Sequence, residues 1–253
     1  MYISAFGWQA KGSEYLLSGK ETDKWQATEL TGTKVLEVCG INGGVRFIES
    51  TTYQNPLPLR TFGWSALEIC VDDVHKYVAQ AVEAGFEVLN EAVPLSGTAK
   101  PLPLIAAQLA GINGEVVYIT QILSEVPNFE LPDVSKESGS IFICVLGASD
   151  LEKSREVLES NFDVRRASDR EVAIRVINRV YEKPLETLHR LSSLQLAGRN
   201  AIEIDQLPVE GKQREVESNN LAPGISVVTV RGSVAEPTII KLPDNALLEI
   251  LPG

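Results

Sequence analysis

Two carboxylates within strand-like runs are the first candidates for chemistry in this sequence. Glu68 lies in the run SALEICV, two residues after Ala66, and Glu49 follows the run GINGGVRFI. A carboxyl group on a buried strand face tends to keep its proton, because burial disfavours the charged form, and such a group can serve as a general acid or base. If the strand register differs by one residue, Glu68 faces solvent instead and has no such role.

The sequence lacks the usual signatures of nucleophilic, nucleotide-dependent and zinc-dependent enzymes. It contains no G-x-S-x-G, no Walker-type phosphate loop, no dinucleotide fingerprint and no HExxH. The segment GINGG is glycine-rich, but no Lys-Ser or Lys-Thr pair follows it, so it is interpreted as a hairpin turn. The cysteines Cys39, Cys70 and Cys144 form no CxxC pair and are too few for a disulfide framework.

Composition and charge are those of a soluble globular protein with an acidic surface. Of the 253 residues, 44% are hydrophobic and 23% are charged, and the formal net charge is −11. This acidity, together with the lack of a Lys/Arg cluster, argues against nucleic acid or an anionic membrane as a partner. The N-terminal sequence has no basic start followed by an apolar run, so neither a signal peptide nor a membrane helix is expected, and the predicted location is cytoplasmic.

One hairpin pattern recurs along the chain. Residues 40–48 read GINGGVRFI and residues 111–119 read GINGEVVYI. The sequence QLAG at 108–111 returns at 195–198, where RNAIEID follows it, and PDNALLEIL at 243–251 is the weakest copy. Asn-Gly turns accept a positive φ angle and lead into strands. Four similar hairpin ends predict four copies of one folding unit.

Two of the copies also contain a strand followed by a helix. The helix after the strand 67–71 has apolar residues at helical spacing and ends at Gly85, where a left-handed cap is expected. The helix after the strand 141–146 opens with Ser149 and Glu152 at capping-box spacing. The first and last copies are shorter and leave no room for this strand and helix.

The copies divide the chain into two predicted domains with a polar linker between them. A second polar loop, residues 208–223, separates the third copy from the fourth. The predicted boundaries are 1–123 for the N-terminal domain (reduced module 1–60, complete module 61–123), 124–139 for the linker, and 140–253 for the C-terminal domain (complete module 140–208, reduced module 220–253).

These segments resemble the vicinal oxygen chelate superfamily, which includes glyoxalases, bleomycin-resistance proteins and extradiol dioxygenases. The resemblance covers nearly the whole chain and is carried by ALEICVDDVHKYVAQAVEAGFEVL, GINGEVVYITQ, SIFICVLGASDLEKSREVLESNFDV and NAIEIDQLP. It implies an α+β fold of repeated βαβββ modules, here two complete and two reduced. The modules would pair into cupped mixed β-sheets, with helices on the outer face and a small molecule inside each cup.

The resemblance also implies where a divalent metal would be bound. Members of the superfamily commonly use a His, Gln or Glu early in the first strand of a module and a Glu near the middle of the last strand. The first-strand positions here are Ala66 and Ile143, which cannot bind a metal. The last-strand positions are, in the order of the modules, Phe47, Tyr118, Glu203 and Glu249. No cofactor is therefore predicted; the alternatives are a divalent metal at Glu203 and Glu249, or an arginine partner for each glutamate.

Aromatic residues at two of these positions predict an apolar cup in the N-terminal half. Phe47, Ala66 and Tyr118 would line it, and Trp64 could stack on a flat ligand. Tyr118 could also donate a hydrogen bond to a carbonyl or phenolate, next to Glu68. Simple core packing is the alternative interpretation of these aromatic side chains.

Two functions of different class follow from these residues. The first is binding of a small aromatic or apolar molecule without the family metal. The alternative is an enzyme of lyase, isomerase or dioxygenase-like type, using Glu68, Tyr118 and Glu49 as catalytic groups or a metal at Glu203 and Glu249. A homodimer is also predicted, because the reduced first module leaves a sheet edge that a second copy could cover.

Overall fold

The computed structural model of the chain describes residues 1–50, 54–96, 101–161 and 164–253. The helices are α1 (Tyr2–Phe6), α2 (Gly19–Trp25), α3 (Val74–Glu83), α4 (Val134–Glu137), α5 (Leu151–Asn161) and α6 (Arg175–Val180), with 3-10 turns at Thr28–Leu30 and Pro243–Asn245. The strands are β1 (Gln9–Ala10), β2 (Tyr15–Leu16), β3 (Lys34–Cys39), β4 (Gly44–Ile48), β5 (Gly63–Val71), β6 (Glu87–Ser96), β7 (Pro101–Ala110), β8 (Val116–Ile122), β9 (Ser140–Ala148), β10 (Arg165–Ala173), β11 (Leu188–Gln195), β12 (Ala201–Gln206), β13 (Val227–Gly232), β14 (Thr238–Lys241) and β15 (Leu247–Pro252). Within the described ranges, none of the helices has the length and apolar character needed to cross a membrane.

The strands form one large sheet and two small ones. The large sheet has eight strands in the order β10-β11-β12-β9-β5-β8-β7-β6. In the first small sheet, β3 pairs with β1, β2 and β4. The second small sheet has the order β13-β15-β14. The mixture of parallel and antiparallel pairs, with helices packed on the sheets, confirms the predicted α+β class of repeated βαβββ modules.

The two complete modules share the large sheet, and this pairing crosses the predicted boundary between the domains. β5 opens the second module and β9 opens the third, and they pair with each other antiparallel at the centre of the sheet. All nine residues of β5 are buried, and β8 pairs with only one of its edges. The other edge needs a partner that satisfies its backbone groups, and β9 supplies it. The modules thus pair as two with three, whereas the sequence predicted one with two and three with four.

Side chains of β5 alternate between two cores. Leu67, Ile69 and Val71 pack on the side of α3, while Ala66 and Cys70 belong to a cluster on the opposite side. A register shift between Trp64 and Ala66 interrupts the alternation. Such a bulge turns the residues before it to the other face of the sheet.

The two module helices begin and end close to the predicted residues. Asp73 caps α3 by accepting a hydrogen bond from the Lys76 backbone N–H, and Gly85 has the positive φ expected after the helix, 97°. For α5, the predicted cap was wrong by one residue. Asp150 accepts from the Lys153 backbone N–H at 3.1 Å, and Ser149 instead donates its hydroxyl to Asp244 at 2.7 Å.

The first and fourth modules pack against each other through an apolar cluster. It contains Leu17, Trp25 and Val35 from the N-terminal region and Val227 and Leu247 from the C-terminal region. The first module does contain a helix, contrary to the prediction. In α2, Ser18 and Glu21 form a complete capping box, which explains why a short segment becomes helical there.

The linker between the complete modules is more ordered than a polar spacer. It contains α4, which Asp133 caps, and Phe129, Leu131 and Val134 pack against a core cluster of the large sheet. The prediction missed these contacts because apolar residues in this stretch occur singly, without a helical or strand period.

A buried arginine anchors the second polar loop to the start of β5. Arg214 is 6% exposed. Its guanidinium donates hydrogen bonds to the Thr61 hydroxyl and to the carbonyl groups of Trp64, Pro223 and Ile225. Burial lowers the pKa of this side chain to about 10. The loop at 208–223 is therefore tied to the large sheet.

Replacing Arg214 should strongly destabilise the fold. Arg214→Met preserves much of the side-chain volume but leaves two buried and two partly buried acceptors without their donor, so the free energy of unfolding should fall by about 3 kcal/mol. Urea denaturation measures this change. The control is Arg231→Met, because Arg231 is exposed and, among the described residues, donates to the Pro252 carbonyl alone; it should change stability by less than about 0.5 kcal/mol. Equal, small effects of both substitutions would contradict this role of Arg214.

Candidate functional site

The candidate site lies on the face of the large sheet opposite α3 and α5, which we call the inner face. Residues from both complete modules meet there. They are Ala66 and Glu68 of β5, Tyr118 and Thr120 of β8, Ile143 and Val145 of β9, Glu203 and Asp205 of β12, Arg170 of β10 and Ser193 of β11.

Strand register determines how these residues are arranged. Val145 pairs with Ala66 on one side and with Glu203 on the other. Two residues further along β5 from Ala66, Glu68 pairs with Tyr118 on one side and with Ile143 on the other. Glu68 and Glu203 are therefore separated by a single strand and offset by two residues, which corresponds to about 12 Å between their backbones.

Glu68 is a buried carboxyl group with one hydrogen-bond donor beside it. The residue is 6% exposed, and the Thr120 hydroxyl donates to its Oε1 atom. Burial raises the pKa of Glu68 to about 8, and the negative charge of Glu203 adds to the increase. The Thr120 hydrogen bond and the positive charge of Arg170 oppose it. At neutral pH Glu68 is therefore mostly protonated.

Glu203 and Asp205 add two more carboxyl groups to the same face. Burial raises the pKa of Glu203 to about 7, against the opposing effect of Arg170. The pKa of Asp205 is raised well above its usual value, first by burial and then by the charges of Glu203 and Glu68. Three acidic groups thus share one weakly solvated surface, and Arg170 is the cation that acts on all of them.

Three polar atoms on the inner face are buried and lack a hydrogen-bond partner among the residues that the structure describes. They are Tyr118 Oη, Asp205 Oδ1 and Arg170 Nε. Arg170 does use another nitrogen, since its Nη2 donates to the Ser193 hydroxyl at 3.3 Å. Tyr118 and Asp205 are 6% and 1% exposed. Buried polar groups are nearly always hydrogen-bonded, so these atoms are candidate contacts for water or for a bound molecule.

Apolar side chains cover this surface. Leu59 and Phe62 precede β5, and Val176 and Ile177 lie on α6; all four belong to the hydrophobic cluster that contains Ala66 and Tyr118. Two arginines hold α6 in place, because Arg179 donates to the Leu89 carbonyl and Arg60 donates to the carbonyl of Val180. Asn178 of α6 also bonds to His189 of β11 at 2.7 Å.

Not all predicted lining residues meet at this surface. Ala66, Glu68 and Tyr118 share the inner face, but Phe47 packs against Tyr2, with 5.5 Å between ring centroids. Trp64 lies in the cluster on the α5 side and donates its indole N–H to the Leu247 carbonyl at 2.8 Å. The bulge after Trp64 explains its orientation. Glu49 follows β4 and is exposed, so it has no place in the site.

The predicted metal pair, Glu203 and Glu249, is not brought together. Glu203 lies in the large sheet, whereas Glu249 lies on β15 in a small sheet. The Glu249 carboxylate accepts hydrogen bonds from Arg46 at 2.9 Å, Thr229 at 2.8 Å and Trp25 at 3.3 Å. This arrangement matches the predicted alternative in which the glutamate pairs with an arginine.

Comparisons with known proteins agree with this architecture. No protein-family model and no curated protein matches the chain. Among solved structures, glyoxalase I from Zea mays has a TM-score of 0.60 at 12% identity, over 99% of this chain and 85% of that one. A proposed dioxygenase from Bacillus subtilis subsp. subtilis str. 168 has a TM-score of 0.57 at 9% identity, over 98% of this chain and 78% of that one. The chain has the vicinal oxygen chelate fold.

The metal positions that the sequence resemblance implies can be located in the structure. In the two complete modules they are Ala66, Tyr118, Ile143 and Glu203, and all four side chains lie on the inner face. The backbone thus places the positions together, but only Glu203 is a usual metal ligand. Anywhere in the described ranges, including the inner face, no three His, Cys, Asp or Glu side chains converge closely enough to hold a metal ion. This donor set does not fit a metal of the glyoxalase type.

Three residues of the site were missed as functional candidates. Asp205 follows Glu203 at strand spacing, and Thr120 follows Tyr118 in the same way, so strand alternation placed them on the right faces. Arg170 had no such signal. It belongs to the third module, and it approaches Glu68 only because the second and third modules share a sheet.

Replacing Glu68 should change how stability depends on pH. Between pH 4.5 and about 8, the folded protein keeps a proton on Glu68 that the unfolded chain has already released. Stability therefore decreases as pH rises through this window. The decrease is at most about 1.4 kcal/mol for each pH unit. Glu68→Gln cannot titrate, so its unfolding free energy relative to the wild type should increase from the acidic to the basic end of the window.

Urea unfolding at both ends of the window measures this difference. Glu156→Gln is the matched control, because Glu156 is exposed on α5, and it should leave the pH dependence of the wild type unchanged. If Glu68→Gln and Glu156→Gln give the same pH profile, Glu68 is not a buried, protonated group.

Proposed function

We propose that this chain binds a small organic molecule on the inner face of the large sheet, without a metal of the glyoxalase type. The observation that carries the proposal is the pair of buried, unpartnered atoms Tyr118 Oη and Asp205 Oδ1 on that face. Leaving such atoms without partners costs about 1–3 kcal/mol each, and a ligand that bonds to both would recover this free energy.

The surroundings favour a mainly apolar ligand with few polar groups. Ala66, Val116 and Ile143 line the face beside Tyr118, and small-molecule sites typically combine such surfaces with a few oriented polar atoms. Val176 and Ile177 of α6 occupy the space over the face. We infer that the ligand takes the place of these two side chains, so that α6 shifts when the ligand binds.

An acid–base enzyme is the second candidate, and the protonation of Glu68 favours it. A carboxyl group with a pKa of about 8 lies near the pH at which general acids and bases work best. Tyr118 pairs with Glu68 in the strand register, and burial keeps its phenol protonated by raising its pKa well above the usual value. A substrate held between them would have one group to exchange a proton and another to stabilise charge on oxygen.

A homodimer remains a prediction. The sequence placed the dimer contact at a sheet edge of the first module, but this module packs against the fourth through the cluster around Trp25. The free edges of the large sheet, β10 and β6, are now the surfaces at which a second copy would pair. Sedimentation equilibrium at micromolar concentration distinguishes a dimer from a monomer.

Removal of the Tyr118 hydroxyl should weaken ligand binding. The reference probe is 2-naphthylmethanol, an apolar aromatic alcohol whose hydroxyl can hydrogen-bond to Tyr118. Tyr118→Phe should weaken its affinity about fivefold, as expected for the loss of one buried hydrogen bond. Tyr15→Phe is the control, because Tyr15 lies in the first module, on β2, and it should bind like the wild type. Identical affinities for all three proteins, measured by calorimetry, would count against the proposed site.

Hydrogen exchange separates the enzyme from the binding protein. If Glu68 acts as an acid–base group, wild-type protein should catalyse deuterium incorporation into a bound carbonyl compound in heavy water, detected by mass spectrometry. Glu68→Gln should bind the compound with similar affinity and lose at least about 100-fold in exchange rate. Binding without exchange in the wild type supports the binding protein.

Stoichiometric zinc, iron, manganese or nickel in the purified protein would contradict the metal-free form of both functions.

A further inference from the structure

We propose that the ligand of the inner face is an organic cation, an amine carried on an apolar body. This inference rests on the proposed function and assigns its ligand class. It is carried by two independent observations: an excess of acidic groups on the face, and buried atoms that lack a partner beside them.

The charge on the inner face is unbalanced. Glu68, Glu203 and Asp205 all project from the face, and Arg170 is the cation that acts on each of them. Complete ionisation of the three carboxyl groups would leave two negative charges uncompensated. Without a ligand the protein reduces this charge by keeping protons on its carboxyl groups, because an unpaired charge in a weakly solvated site is costly.

Groups on the other elements packed near this face do not supply the missing positive charge. On α6, Arg175 pairs with Glu186 at 3.0 Å, and Arg179 donates to the Leu89 carbonyl. Arg60 donates to the Val180 carbonyl. His189 of β11 lies on the same side of the sheet, but burial lowers its pKa and favours the neutral ring. Cys70 of β5 stays a thiol, since burial raises its pKa to about 12.

The unpartnered atoms define what the ligand must offer. Asp205 Oδ1 can accept a hydrogen bond, and Tyr118 Oη can accept one or donate one. An ammonium group has three donors and no acceptor, so it can donate to either atom while it compensates the carboxylates. A neutral alcohol can bond to one of these atoms but leaves the charge unchanged. A carboxylate would meet three acidic groups and only the free Nε atom of Arg170.

Cation binding should release a proton. The ammonium group stabilises the ionised form of the nearby carboxyl groups, so the pKa of Glu68 falls when the amine binds and its proton leaves for the solvent. The affinity for an amine should therefore rise with pH until the carboxyl groups are ionised in the free protein. The affinity for a neutral molecule of the same shape should not follow this profile.

Three probes that share one aromatic body test the inference. They are 2-naphthylmethylamine, 2-naphthylmethanol and 2-naphthoate, titrated into the full chain by calorimetry at neutral pH. Each titration is repeated in two buffers of different ionisation enthalpy, which reports the number of protons released. The amine should bind at least about tenfold more tightly than the alcohol and release about one proton, and the carboxylate should bind most weakly.

Substitutions then assign the effect to the inner face. Glu68→Gln and, as a second variant, Glu203→Gln should each reduce the proton release and the preference for the amine over the alcohol, while alcohol binding persists. Glu156→Gln removes the same charge from the exposed surface of α5 and should behave like the wild type. Circular dichroism of each variant verifies that it is folded before its titration is interpreted.

The outcomes separate this inference from the proposed function. Binding of the alcohol or the carboxylate as tightly as the amine, with no proton release, would overturn the cation and leave the binding site standing. Failure of all three probes to bind, in titrations and in saturation-transfer NMR, would overturn both. An amine preference that Glu156→Gln abolishes as fully as Glu68→Gln would place the effect on the protein surface and overturn the assignment to the inner face.

Discussion

The antiparallel pairing of β5 with β9 is the interaction on which the rest of the structure depends. Each of these strands opens a complete module, and each has a parallel partner on one edge, β8 or β12. Joining the remaining edges buries both strands at the centre of an eight-stranded sheet and leaves only β10 and β6 at its edges. The first and fourth modules, which lack such strands, form small sheets and pack against each other through the Trp25 cluster.

This pairing also determines the composition of the site. It aligns Val145 with Ala66 on one side and with Glu203 on the other, so that carboxyl groups from two modules face the same space. The four positions at which the sequence resemblance would place metal ligands lie on one face of the sheet. The side chains at these positions are mostly unable to bind a metal. The sheet therefore presents carboxyl groups and a phenol on this face.

Electrostatics makes this surface costly to bury under apolar side chains. Burial alone raises the pKa values of Glu68, Glu203 and Asp205, and their mutual repulsion raises those of Glu68 and Asp205 further. Tyr118 and Asp205 each keep a buried atom without a partner among the described residues. A structure that only had to be stable would favour apolar residues here. Unfavourable polar groups that persist in a core are typical of places where a ligand supplies the compensation.

The sequence by itself determined the folding unit, because hairpin turns, strand alternation and helix caps are local properties. GINGEVVYI, the apolar run of β5 and the cap at Gly85 predicted a repeated unit of strand, helix and hairpin, and the resemblance gave it as the βαβββ module; the register that places Glu68 on the face of Tyr118 stayed open. Only the tertiary structure decided which modules share a sheet, since each exposed strand edge could pair with several others. That choice brought Glu203, Asp205 and Arg170 to Glu68 and separated Phe47 and Glu249 from them. The bulge after Trp64 likewise depends on the β9 partner, and no local pattern predicted it.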